Sequence, residues 1–193
     1  LLSAFFIYGS SFSMVFLLSL YLQYIHGLSP SETGQIVLIQ TLIMMVLAPI
    51  TGRLSDRFEP RILSTIGCGF FVIGYGMLFR LDMQTSLHYV MLALVFLGLG
   101  FGFFSSPNNN AAIGSVAADK LSIAAVLLNL ARTMGNMVSS AIVMTLFSVT
   151  MGGAAITLEL YPELLFVIKV TMALSMGYAL IAAIFSYRRG TIH

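Results

Sequence analysis

The chain has 193 residues, of which 59% are hydrophobic and 8% charged, with a mean hydropathy of +0.98 and a formal net charge of +2. A soluble domain has roughly a quarter of its residues charged, so this composition excludes a water-soluble fold, and the small, dispersed positive charge leaves no footprint for nucleic acid. The one cysteine, Cys68, lies in an apolar run and reads as a small buried hydrophobe, which rules out a disulfide framework and a cysteine metal site.

The chain opens LLSAFFIYGS, with no Met and no charged residue before Glu32. That is not the basic start of a signal peptide, and the expectation is a chain that begins inside a longer protein or has lost its true start. Apolar stretches bounded by charge or turn residues predict six spans, near 3–24, 31–51, 62–81, 87–114, 121–150 and 163–187. Each is at least as long as the roughly 20 apolar residues that a helix needs to cross a bilayer. Strand alternation is absent, and hydrocarbon obliges each span to satisfy its own backbone, so the fold class is all-α.

Span one carries Tyr8, Ser11, Ser19, Tyr21 and Gln23, with Tyr8, Ser11 and Ser19 on one helical face. Aromatics with small hydroxyls suit the wall of a site for an apolar or cationic compound, and equally suit ordinary packing. Between spans two and three the decamer GRLSDRFEPR, Gly52 to Arg61, holds three of the nine basic residues and two of the seven acids. It reads as a tight hairpin, with Gly52 allowing close approach and Pro60 suiting the first turn of the next helix. Arg53, Arg57, Arg61, Lys120, Arg188 and Arg189 fall on one side of the spans and Arg80 on the other. The excess of Lys and Arg in cytoplasmic loops predicts that the decamer and the C-terminus are cytoplasmic.

Span four contains GLGFGFFSSPNNNAAIGSV. Gly98, Gly100 and Gly102 admit a neighbouring backbone, and Pro107 permits a kink, so this helix is suited to bending or sliding. Asn108, Asn109 and Asn110 cannot all face one way on a helix; they serve interhelical hydrogen bonding, or one or two of them line a cavity. Span five holds Asn129, Arg132 and a small-residue stripe of Ala131, Gly135 and Ser139. An arginine at a helix centre costs about 2.5–3.5 kcal/mol on insertion scales, so Arg132 either snorkels to the interface or pairs in the interior, with Asn129 one turn away. Lys169 in span six is expected to snorkel outward. No Asp or Glu lies in the middle of a span, and His26, His88 and His193 are also peripheral, so the sequence shows no proton relay of its own.

Gly52, Leu54, Ser55, Asp56, Arg57 and Arg61 resemble the G-x-L-[AS]-D-R loop signature of the major facilitator superfamily, with Glu59 and Pro60 departing from its usual Gly and basic residue. GLGFGFFSSPNNNAAIGSV, AAVLLNLARTMGNMVSSA and SLYLQ (Ser19–Gln23) are similar to the C-terminal half of the fourteen-span drug:proton antiporters of the EmrB/QacA type. The resemblance implies a six-helix half built of 3+3 inverted repeats. It further implies that spans one and four line the cavity, two and five pack on a missing N-terminal half, and three and six face outward. Asp56 would be the anion of a conformational latch, with Arg53, Arg57 or Arg61 as partners. The implied activity is proton-coupled efflux of an apolar or cationic small molecule across the plasma membrane, with no cofactor and no chemistry on the substrate. A metabolite permease of another branch and a non-transporting six-span scaffold are the alternatives.

Overall fold

The computed structural model describes residues 1–55, 57–114, 116–152 and 156–188. Among them, six helices are long and apolar enough to cross a membrane: α1 (Leu2–Leu20), α2 (Pro30–Ser55), α3 (Pro60–Phe79), α4 (Leu87–Gly114), α5 (Leu121–Met151) and α6 (Tyr161–Tyr187). No strand occurs among the described residues.

Local chemistry sets several boundaries. A π turn, Tyr21–Ile25, prolongs α1, and Gly27 at φ 66° then reverses the chain while the Leu28 N–H closes on the Leu22 carbonyl at 3.1 Å. Helix α2 starts on a reciprocal capping box. The Glu32 carboxylate accepts from the Ser29 N–H (2.8 Å) and hydroxyl (2.7 Å), and Ser29 Oγ accepts from the Glu32 N–H (3.3 Å). At its other end α2 continues through Ser55, past the expected limit at 51, so Gly52 and Arg53 are helical rather than part of a hairpin. The added turn is held by α4: Thr51 Oγ1 donates to the Gly102 carbonyl at 2.7 Å, and Asn110 Nδ2 donates to Ser55 Oγ at 2.7 Å. Pro60 and Pro162 occupy the first turns of α3 and α6, where a missing N–H costs nothing.

The packing repeats itself. Helix α1 packs on α5 and α6, α4 packs on α2 and α3, and α3 packs on α6. Exchanging α1 with α4, α2 with α5 and α3 with α6 returns the same pattern, which is the signature of two three-helix repeats. Lipid gives helices no hydrophobic reason to associate, so the close crossings fall at small residues. Gly98 and Gly102, one turn apart on one face of α4, meet α2, where an added Cβ would lie 2.8 Å from the Gln40 carbonyl and 2.6 Å from Leu47 Cβ. Gly100, on the opposite face, packs against Phe71 and Gly67 of α3. Helix α4 is continuous through all three glycines and through Pro107.

Burial separates the helices into classes. In the most apolar stretch of each, 56% of α1 and 50% of α4 are buried, against 17% of α2 and 22% of α5. The core is therefore built on α1 and α4, while α2 and α5 leave apolar faces open, with Met45, Val46, Val126 and Met137 each at least 60% exposed.

One end of the bundle gathers the C-terminal ends of α2, α4 and α6 and the start of α3, linked by the Asn110–Ser55 bond and by Ser186 Oγ donating to the Arg61 carbonyl at 3.5 Å. Arg53, Arg57, Arg61, Lys120 and Arg188 belong to this end by their positions on the elements. At the other end Tyr21 donates to the Asp82 carbonyl at 2.7 Å, tying the end of α1 to the α3–α4 loop.

Candidate functional site

A concavity of about 270 Å³ opens between α1, α2, α4 and α5, lined by Tyr8, Ser11, Phe12, Val15, Gln40, Thr41, Met44, Phe101 and Asn136. Helical geometry places residues 8, 11, 12 and 15 of α1 on one face, and 40, 41 and 44 of α2 likewise. The midpoints of the four helices fall at residue 11, between 42 and 43, between 100 and 101, and at 136. The lining thus clusters around the centre of every helix that contributes to it. Helices α3 and α6 contribute nothing to it.

Polar groups converge at the edge of this concavity. The Arg132 guanidinium carbon lies 4.6 Å from the centroid of the Tyr8 ring, within reach of a cation–π contact. Its terminal nitrogens donate to Asn109 Oδ1 on α4 and, at 3.5 Å, to Asn129 Oδ1 on its own helix. Its Nε is buried without a hydrogen-bond partner. Arg132 is eleven residues into α5, about 16 Å along the axis, and its head is turned across to α1 and α4. Tyr8 in turn is hydrogen-bonded to the Ser105 hydroxyl at 3.2 Å and meets Phe101 edge to face, centroids 5.8 Å apart. Ser11 donates to the Ile7 carbonyl at 2.7 Å, and its oxygen lies 3.4 Å from the Tyr75 hydroxyl.

The three asparagines point apart. Asn108 is buried, Asn109 holds Arg132, and Asn110 is exposed and bonds Ser55 at the basic end. Gly135, one turn along α5 from Ala131, meets the backbone of Phe5 and Gly9 on α1, and Ser139 bonds Ser13, so these members of the small-residue stripe face a helix of this same chain. Lys169 lies close enough to Asp82 to act on it electrostatically. At the basic end, Arg53 in the last turn of α2 and Arg57 beyond it are exposed, and Arg61 pairs with Glu59. Gly52 packs toward α4, an added Cβ lying 3.0 Å from Ser106 Oγ. Asp56, the expected latch anion, lies outside the described residues.

Sequence reasoning passed over Gln40, Asn136 and Ser105. Gln40 Oε1 is buried and unpartnered beside the concavity, and Asn136 follows Arg132 by four residues on the same face of α5. An uncharged amide near the centre of an apolar span was the available signal in both cases.

Six membrane-length helices in two exchangeable triplets around a central concavity define the architecture of a membrane transporter. The sequence matches the Major Facilitator Superfamily over residues 1–140, and the chain belongs to that family of multi-pass membrane transporters. It is 34% identical over 113 residues to the riboflavin transporter RibZ of Clostridioides difficile, covering 58% of this chain and 25% of that one. It is 27% identical over 134 residues to the multidrug efflux pump LfrA of Mycolicibacterium smegmatis, covering 69% and 27%. The solved structure of a bacterial homologue of the human drug peptide transporters PepT1 and PepT2 superposes with a TM-score of 0.74 at 15% identity, covering 98% of this chain and 42% of that one. The matches to these two curated relatives thus span about a quarter of their length.

Proposed function

We propose that this chain is the C-terminal six-helix half of a secondary active transporter that exports small molecules from the cytoplasm across the plasma membrane, with its basic end and C-terminus in the cytoplasm. The observation that supports this best is the position of the concavity at the centres of the helices that exchange under the internal repeat, where major-facilitator-type transporters place substrate. Its volume is just under the roughly 300–1,000 Å³ of complete small-molecule sites, as suits one wall of a site closed by a second half. Phe12, Val15, Met44 and Phe101 supply apolar surface, and the open faces of α2 and α5 supply the surface on which that half would rock. No carboxylate of the described residues lines the concavity, so coupling to protons would use acids of the other half, and export would be driven by proton influx.

The test is reconstitution of the intact gene product in liposomes carrying a proton gradient, with a panel of fluorescent amphiphiles of both charges. Gradient-dependent flux with counterflow of protons supports the reading; flux in none of the panel, from well-folded protein, removes it. A second reading, a permease for one aromatic metabolite, is favoured by the 34% identity to a riboflavin transporter. Uptake of isotope-labelled riboflavin without flux of the amphiphiles would select it.

A further inference from the structure

We infer that Arg132 makes the substrate site of this half selective for small molecules carrying an anionic or strongly accepting group (a carboxylate, phenolate or sulfonate) on an aromatic body, and selective against cations. The inference rests on the transport reading and replaces the apolar or cationic substrate expected from the sequence with an anionic one.

Arg132 is held by neutral partners, the amide oxygens of Asn109 and Asn129 and the face of Tyr8, and no carboxylate of the described residues lies within ion-pair distance of it. The interactions fix the guanidinium without cancelling its charge. Arg132 is half-buried, eleven residues into α5 and against α1 and α4, so its charge is screened less than that of a residue in a solvated loop. Two side chains couple it to the concavity: Tyr8, whose ring both lines the space and bears the guanidinium, and Asn136, one turn further along the same face of α5. The Nε is buried without a partner, one donor of the guanidinium left unmet by its present bonds.

Phe12, Phe101 and the Tyr8 ring offer aromatic surface to a flat body. Gln40 lines the concavity on α2 with its Oε1 buried and without a partner, so a rotation of the amide would present an acceptor to a donor on the same ligand. A ligand with an acidic or carbonyl edge toward α5 and an N–H or O–H toward α2 would satisfy both groups. A cation placed there would meet like charge in a medium of reduced dielectric. At separations of about 5 Å, the difference between the two signs of charge corresponds to roughly a tenfold preference at the dielectric of water and to more than about ten-thousandfold at an effective dielectric near 20.

Two xanthene dyes of similar shape and opposite charge, fluorescein and rhodamine 123, provide the probe. Their dissociation constants for the purified intact gene product are read by fluorescence anisotropy, alongside gradient-driven flux in liposomes. The expected result is fluorescein bound at least tenfold more tightly than rhodamine 123, the preference collapsing in Arg132→Gln and surviving in Arg132→Lys. Tighter binding of rhodamine 123 to the unmodified protein overturns the inference, as does binding of neither dye, and neither reading depends on a variant folding. Flux in which Arg132→Gln keeps the same preference overturns the subsite alone. Binding with the expected preference but without flux leaves the subsite standing and removes the transport reading.

Discussion

Gly9 of α1 and Gly135 of α5 meet backbone against backbone: a Cβ on Gly9 would lie 3.0 Å from the Gly135 carbonyl oxygen, and one on Gly135 would run into the carbonyl oxygen of Phe5. One turn on, Ser13 and Ser139 join their hydroxyls across the same crossing. Backbone cannot yield as a flexible side chain can, so Gly135→Ala must push the helices apart. Overpacking of this kind costs about 1–3 kcal/mol, and the intact protein in detergent should unfold at a visibly lower temperature. Gly69→Ala, whose Cβ meets nothing within 4 Å, is the matched control and should leave the melting temperature unchanged or raise it slightly.

Asn109 and Arg132 should behave as one unit. Asn109→Ala removes the amide that receives the guanidinium from α4, and Arg132→Gln removes the guanidinium. Residues in such contact show coupling of roughly 0.5–3 kcal/mol, so the double variant should lose less stability than the two single losses added together. Unfolding midpoints for the four proteins of the cycle measure this. Strict additivity would mean that the contact contributes nothing.

The helices were legible in the sequence because lipid imposes one rule on every residue of a span, and the apolar runs ending at His26, Arg80 and Lys120 report it directly. The final turn of α2 was not, because what extends it beyond residue 51 is a hydroxyl of Thr51 finding the carbonyl of Gly102, a residue 51 positions away. The same limit applies to the site. Arg132 stood out because a charge within a span demands an explanation, and Asn129 suggested itself by spacing along one helix. Its shorter bond is to Asn109 on α4 and its aromatic partner, Tyr8, is on α1, relationships created by packing alone. Gln40 carries no charge, and its mid-span amide, the one signal in the sequence, gained weight only from its burial without a partner.

The α3–α4 loop should weaken in acid. Asp82 Oδ1 accepts from the Thr85 hydroxyl at 2.9 Å and the Gln84 N–H at 2.8 Å, and these bonds, the Thr85 hydroxyl foremost with Lys169 adding a smaller attraction, hold its carboxyl below the ordinary carboxylate range. A depressed folded value means that the stabilisation is present above the unfolded value and is lost as pH falls through the folded one. Amide hydrogen exchange at Gln84 should therefore lose protection below about pH 4. Asp82→Asn keeps the acceptor oxygen without the titration and should show no such step. Identical pH profiles for the two proteins would rule this account out.

The basic end offers the last test. By resemblance to the family loop signature, we propose Asp56 as the anion of a latch whose partners are arginines. Arg61 is engaged by Glu59, whereas Arg53 and Arg57 are exposed beside the α2–α3 connection. A latch acts by favouring one conformation of the transport cycle, and a shift of about 1.4 kcal/mol in that balance changes populations tenfold. Asp56→Asn in the intact gene product should therefore lower gradient-driven flux by roughly tenfold at unchanged membrane expression, with substrate affinity little altered because the concavity lies near the helix centres. Glu59→Gln, which releases Arg61 without touching Asp56, should leave flux nearly intact. Normal transport by Asp56→Asn would remove the latch and reduce the arginines of this end to setting the orientation of the chain in the membrane.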